Sequence, residues 1–267
     1  MDPIAPMTRD QRGIVLVLVL WSIALLALIG ARLTSASRTD IATATDLYNA
    51  TRAEAAADGA VHEAIARLAD GGALHWSADR LIRTTSIGGV QADVSIENLA
   101  GRLNPNSAPA ELMAALLVRL GMPTERALAQ GGALFDWRMP GGLSVTGGTK
   151  RQMYRMAGFG YVPPSQPYEN DNEIAAVVGM TPEVSAALRP YLSIHNDGAV
   201  DPNEAAVPLR LALQDLGINQ LANTTPSATV EITALARSAT GNRFLRRAVV
   251  RFRPGEPYQI LAWSQSE

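Results

Sequence analysis

Oxygen donors crowd one short stretch of this chain, Glu169-Asn170-Asp171-Asn172-Glu173, inside a proline-rich loop. Hard cations such as calcium take carboxylate and amide oxygens from flexible loops, so Glu169, Asp171 and Glu173 are candidate calcium ligands. The same residues also suit a solvated acidic turn that caps the helix after it. Calcium is the one cofactor the residues suggest. The three histidines, His62, His75 and His195, lack the paired spacing of zinc ligands. The absence of cysteine removes disulfides, thiolate metal sites and a cysteine nucleophile. Gly142 to Gly147 opens like a phosphate loop, but Lys150 stands outside the position such a loop requires, so the stretch reads as an exposed, flexible loop. Gly158-Phe159-Gly160 lacks the third glycine of a dinucleotide fingerprint, and no Gly-x-Ser-x-Gly occurs. These failures argue against an enzyme.

A second candidate is Ala175 to Ser193, where Gly179-Met180-Thr181-Pro182-Glu183 is followed by Leu188 and Tyr191-Leu192. The pattern suits a helix-hairpin-helix, which in DNA-binding proteins offers backbone amides to phosphate beside lysines or arginines. Here Arg189 is the one nearby basic residue and Glu183 opposes the role. With a net charge of -2 there is no global field for nucleic acid either. The alternative reading this leaves, a membrane-anchored helix-hairpin-helix protein of DNA uptake, is the weaker one, and no nucleic-acid partner is expected.

The elements that must position these groups begin with Ile14 to Ala31, an uncharged and mostly apolar run between Arg12-Gly13 and Arg32. Such a run can just cross a bilayer as a helix. No small-residue cleavage site of the secretory kind follows it. From Arg32 to Asp70 there is no proline and a single glycine, Gly59, with apolar residues recurring at helical steps. Ile14 to Asp70 therefore predicts one helix of about 85 Å. Val90 to Glu97 alternates apolar and polar residues as a half-buried strand does, and Val230 to Ala234 repeats the pattern. Ala248 to Phe252 and Gln259 to Trp263 are further strand candidates. Between them, from Gly101 to Ile218, short helices separated by Gly and Pro predict a helical unit inserted into a sheet domain.

An internal similarity within that unit supports the insertion. Gly101-Arg-Leu-Asn104-Pro-Asn106-Ser-Ala108 resembles Gly198-Ala-Val-Asp201-Pro-Asn203-Glu-Ala205, and each leads into an apolar helix. Either a duplicated unit or two similar helix caps, with the second Asn as the cap, explains it.

Arg12-Gly13 before Ile14 and an apolar helix resembles the class III signal of type IV pilins and pseudopilins. The long helix, the interrupted sheet, Leu103-Asn-Pro-Asn-Ser-Ala-Pro109, Phe135-Asp-Trp-Arg138 and Gly179-Met-Thr-Pro182 resemble the type II secretion system protein K family, the large minor pseudopilins. The resemblance implies an α+β fold. In it a pilin-like N-terminal helix packs on an antiparallel sheet with a large all-α insertion of helix-hairpin-helix or SAM-like type. It implies a leader over 1–13 and a transmembrane segment over 14–31. A discontinuous pseudopilin domain would cover 32–100 and 219–267, and the insertion 101–218. Prepilin peptidase would cut after Gly13, and Ile14 would become the methylated terminus. Leu18, Trp21, Leu25 and Leu28 would serve membrane residence and helix assembly.

Most pilins carry glutamate as the fifth residue of the processed helix, where this chain has Leu18. A carboxylate at a helix centre in lipid costs about 2.5 to 3.5 kcal/mol unless it is paired. A subunit without it has no acid to pair with the amine of a subunit ahead. The resemblance thus implies a place at the pseudopilus tip, initiation of its assembly and help in exporting folded proteins across the outer membrane. The implied partners are other minor pseudopilins in a heteromeric tip complex, the major pseudopilin, prepilin peptidase and the inner-membrane assembly platform. The implied location is the bacterial inner membrane, single-pass, with the head in the periplasm.

Overall fold

A computed structural model of the chain describes residues 9–218, 229–238, 240–253 and 255–266. Its first element, α1 (Arg9–Ala69), is one unbroken helix, starting before the expected Ile14 and ending one residue short of the expected Asp70. Proline is absent throughout it, so nothing interrupts the backbone hydrogen-bond ladder. Its C-terminal part buries a face of small residues, Ala53, Ala56, Ala57, Ala60, Val61, Ala64 and Ile65. Steps of three and four place these on one stripe, and alanine lets the helix axis lie close to a sheet.

The sheet has five antiparallel strands in chain order, β1 (Arg83–Ile87), β2 (Val90–Asn98), β3 (Thr229–Arg237), β4 (Arg243–Arg251) and β5 (Gln259–Ser266). Alternate residues of β2, β3 and β4 face α1: Val94 and Ile96, Ile232 and Ala234, Ala248 and Val250 are all fully buried. The strand expectations hold, with each strand longer than its predicted run, except that β4 ends at Arg251 and leaves out the expected Phe252. Strand β1 was not predicted. Its sequence, Arg-Thr-Thr-Ser-Ile, is polar because it forms the sheet edge. It pairs with β2 through a two-residue turn at Gly88-Gly89, both at positive φ (57° and 79°), the backbone of a right-twisting hairpin. Gly59 explains itself here. A Cβ on it would stand 2.8 Å from Ile87 Cγ2, so glycine lets the hairpin reach α1.

Strands β2 and β3 are neighbours, with Val94 opposite Ala234 and Ile96 opposite Ile232, yet the described residues between them form five α-helices. These are α2 (Ala110–Arg119), α3 (Thr124–Arg138), α4 (Lys150–Met156), α5 (Pro182–Leu188) and α6 (Val207–Asp215). They enclose their own apolar cluster, including Leu112, Leu116, Leu134, Trp137, Leu188 and Leu209. Among the described residues, none belongs to both this cluster and the one between α1 and the sheet.

Candidate functional site

Among the described residues, the longest run of exposed apolar side chains lies on α1. From Val17 to Ile29 the large apolar side chains are between 48% and 72% exposed. Leu18, Trp21, Leu25 and Leu28, at steps of three and four, share one side of that helix, and all four are exposed. Ser22 Oγ donates to the Leu18 carbonyl at 2.8 Å, so the hydroxyl in this run is satisfied within its own helix. A continuous apolar surface of this kind marks a lipid or protein contact. Gly13 and Ile14 lie within the α1 backbone, and their side chains are outside the described residues. Among the described residues no helix is long and apolar enough to cross a membrane, the run being described at side-chain level over 17–29.

The acidic stretch is tied into the backbone around it. Asn170 and Glu173 form a capping box at the start of a 3₁₀ turn, Asp171–Ala176. Glu173 Oε1 accepts from the backbone amides of Glu169 and Asn170, at 2.9 and 3.0 Å. Its Oε2 accepts from Trp137 Nε1 at 3.4 Å. Asp171 Oδ1 accepts from the Ile194 amide at 3.3 Å. Glu169 is exposed beside them. Among the described residues no group of three or more His, Asp or Glu side chains is arranged to hold a metal ion. The capping box occupies Glu173, and Asp171 Oδ1 ties the turn to Ile194.

The hairpin candidate is asymmetric. Its first arm is the 3₁₀ turn, and its second is α5, capped by the Thr181 side chain. At the bend, Gln130 Nε2 of α3 donates to the Val178 carbonyl at 3.1 Å, and a Cβ on Gly179 would meet Gln130 Oε1 at 2.6 Å. The bend is thus seated on α3 rather than open to a phosphate backbone. Glu183 stands in the first turn of α5, its carboxyl held below the ordinary range by the Thr181 hydroxyl.

The loop before α4 is exposed over 145–149, as expected, but it ends on the chain's single lysine turned inward. Lys150 Nζ donates to the carbonyls of Asp136 and Met139, both at 2.6 Å, at the C-terminal end of α3. Cations favour that end of a helix, and burial pulls the ammonium pKa below its ordinary value. Deeper in the same lobe Tyr154 accepts from the Val178 amide at 3.2 Å, and burial pushes its pKa up to about 12.

Both copies of the internal similarity meet at the junction of the two lobes. In each, the first polar residue makes the turn: Asn104 Oδ1 accepts from the Asn106 amide and Asp201 Oδ1 from that of Asn203, both at 2.8 Å. The expected caps are corrected, since Pro109 and Ala206 occupy the N-cap positions of α2 and α6. Asn106 instead pairs with the Tyr168 backbone, accepting at 2.7 Å and donating at 2.9 Å. Asn104 Nδ2 donates to the Asn196 carbonyl at 2.7 Å and Asn196 Nδ2 to that of Arg102 at 2.6 Å, tying the first copy to the loop just before the second.

Charge closes the junction. Glu97 and Glu231 stand opposite each other on β2 and β3, a like-charge pair that destabilises a sheet. Arg102, entering the helical lobe, bridges them at 2.6 and 3.3 Å. Arg251 of β4 reaches Asp197 at 2.5 Å, and the Asp201 amide donates to the Ala100 carbonyl at 2.8 Å. Between α1 and β4, Arg246 pairs with Asp58 at 2.5 Å and Glu54 at 3.1 Å, its guanidinium over the Phe244 and Trp263 rings. Sequence reasoning missed Arg102 and Arg246. Strand alternation marks which face a residue takes, and gives no sign of which arginine will bridge two elements.

Residues 92–197 match the family model described as Type II secretion system (T2SS), protein K. The matched stretch runs from β2 through the bend at Gly179 to the junction at Asn196, and leaves out the apolar run of α1. The structure is similar to a chain of the crystal structure of the GspK-GspI-GspJ complex from the enterotoxigenic Escherichia coli type 2 secretion system. The TM-score is 0.63 at 14% identity, over 84% of this chain and 98% of that one. That likeness shows the fold, a mixed arrangement of helices and antiparallel sheet. No curated protein matches in sequence. The matched segment is similar to a component of a protein-secretion apparatus. The likeness to the type II secretion system protein K family is thus carried by residues 92–197.

Proposed function

We propose that this chain sits at the tip of a pseudopilus, where it initiates assembly and helps move folded proteins across the outer membrane. The observation that carries the reading is the uncovered apolar stretch of α1, Val17 to Ile29, which has no acidic residue at Leu18 or elsewhere. In this reading residues 1–13 are a leader removed after Gly13, with Ile14 then methylated. Residues 14–31 cross the inner membrane, and the head occupies the periplasm as a pilin-like lobe (32–100 and 219–267) interrupted by the helical lobe (101–218). The separate apolar clusters support that division. Two other minor pseudopilins are the proposed immediate partners, by analogy with the complex that the similar structure forms. The major pseudopilin, prepilin peptidase and the assembly platform follow from the same role.

The helical lobe supports a terminal position. A bulky lobe would crowd the repeating neighbours of a shaft and meets no such neighbour at an end. Expression of the full chain with and without prepilin peptidase, followed by intact-mass spectrometry, tests the processing step. The expected product lacks Met1 to Gly13 and carries one methyl group when the peptidase is present. Full-length mass under both conditions would contradict it.

A further inference from the structure

Helix α4 carries two arginines, Arg151 and Arg155, one turn apart and both exposed. Residues at that spacing project side by side from a helix. After α4 the chain turns at Gly158, where φ is +86°, and returns along the helix as Phe159, Gly160, Tyr161 and Val162. Together these six residues line a notch of about 230 Å³. Its aromatic wall is built rather than loose. Phe159 and Tyr161 lie 5.1 Å apart between ring centroids, each 5.7 Å from the buried Tyr154. The Tyr161 hydroxyl donates to the Ala176 carbonyl at 2.8 Å.

The two guanidiniums have no partner to match this wall. Several other arginines of the head are engaged, Arg83 with Asp79, Arg102 with two glutamates and Arg246 with Asp58 and Glu54. Arg151 and Arg155 have no ion pair or side-chain hydrogen bond among the described residues. A guanidinium fork matches a carboxylate bidentately, and an aromatic face takes an apolar or aromatic side chain.

We propose that this notch binds an acidic peptide segment of a protein partner, with two carboxylates on Arg151 and Arg155 and an apolar side chain between them on Phe159 and Tyr161. An inorganic anion would satisfy the arginines and leave the aromatic wall bare. The site rests on α4 and its following turn alone, so it stands whether or not the chain occupies a pseudopilus tip.

The test uses the full chain in detergent micelles and a fluorescently labelled, amidated tripeptide of glutamate, phenylalanine and glutamate, read by anisotropy. The glutamine-phenylalanine-glutamine peptide is the neutral control. Saturable binding of the acidic peptide is expected, weakening several-fold between ~0.05 and ~0.3 M salt as exposed charges are screened. The Arg151→Gln/Arg155→Gln double variant should bind about tenfold more weakly, as loss of two charge-assisted contacts implies, with an unchanged thermal melt. No binding, equal binding of the glutamine peptide, or unchanged binding by the double variant would overturn the proposal. Displacement by equimolar inorganic phosphate, or tighter binding of a short single-stranded oligonucleotide, would reassign the notch to phosphate and overturn it as well.

Discussion

The ammonium of Lys150 is held by two main-chain carbonyls inside the head. Its nearest sequence context, a run of glycines that opens like a phosphate loop, points outward to a ligand. The structure uses it to close the C-terminal end of α3, where carbonyls have no helical partner. Replacing it with methionine keeps the length and removes the donors. Lys150→Met should lower unfolding free energy by about 2–4 kcal/mol, because two partly buried carbonyls lose their partners. Urea denaturation measures this, and a loss within about 0.5 kcal/mol, the range of an ordinary surface substitution, would show that water replaces the ammonium. The acidic stretch teaches the same lesson in reverse. Asp171 and Glu173 look like cation ligands by type and spacing, and their oxygens accept from backbone amides and an indole. A carboxylate between proline and a short helix is chemically suited to both uses, and its sequence spacing does not separate them.

Among elements, the pairing of α2 with α3 depends on a glycine in the middle of a helix. Gly131 costs α3 about 1 kcal/mol of helix propensity relative to alanine. The return is close contact. A Cβ there would stand 2.5 Å from the Ala110 carbonyl oxygen and 2.9 Å from the Ala114 nitrogen. Backbone atoms do not swing aside as a side chain does, so Gly131→Ala should destabilise the head by about 1–3 kcal/mol despite better propensity. Gly142→Ala, where nothing lies within 4 Å, should stay within about 0.5 kcal/mol of wild type. Thermal melts of the two variants compare them, and a stabilised Gly131→Ala protein would contradict the packing. Elements were legible to different depths. The alternation in β2 and β3 reflects one buried and one open face, and so read clearly. Strand β1 is an edge whose polar residues carry no such pattern, although Gly88-Gly89 before Val90 was a usable turn signal. Gly131-Gly132 inside α3 was equally visible, but close helix contact has no pattern until the partner helix is known.

For the whole molecule, the interrupted sheet could be read from sequence because β2 and β3 share a pattern on either side of a helical stretch. The junction could not. Arg102 bridging Glu97 and Glu231, and Asn104 meeting Asn196, depend on the register of strands and on two loops arriving together. What remains outside the folded contacts is the apolar N-terminal stretch of α1, and its neighbours decide what the protein is for. The absence of cysteine makes those neighbours directly measurable. A cysteine in place of Leu25, on the exposed helix, can be oxidatively cross-linked to single cysteines in the membrane helices of the other pseudopilins in cells. A tip subunit predicts discrete adducts with one or two other minor pseudopilins and no adduct with a second copy of itself. A ladder of self-cross-linked multimers would place the chain in a repeating shaft and contradict the account.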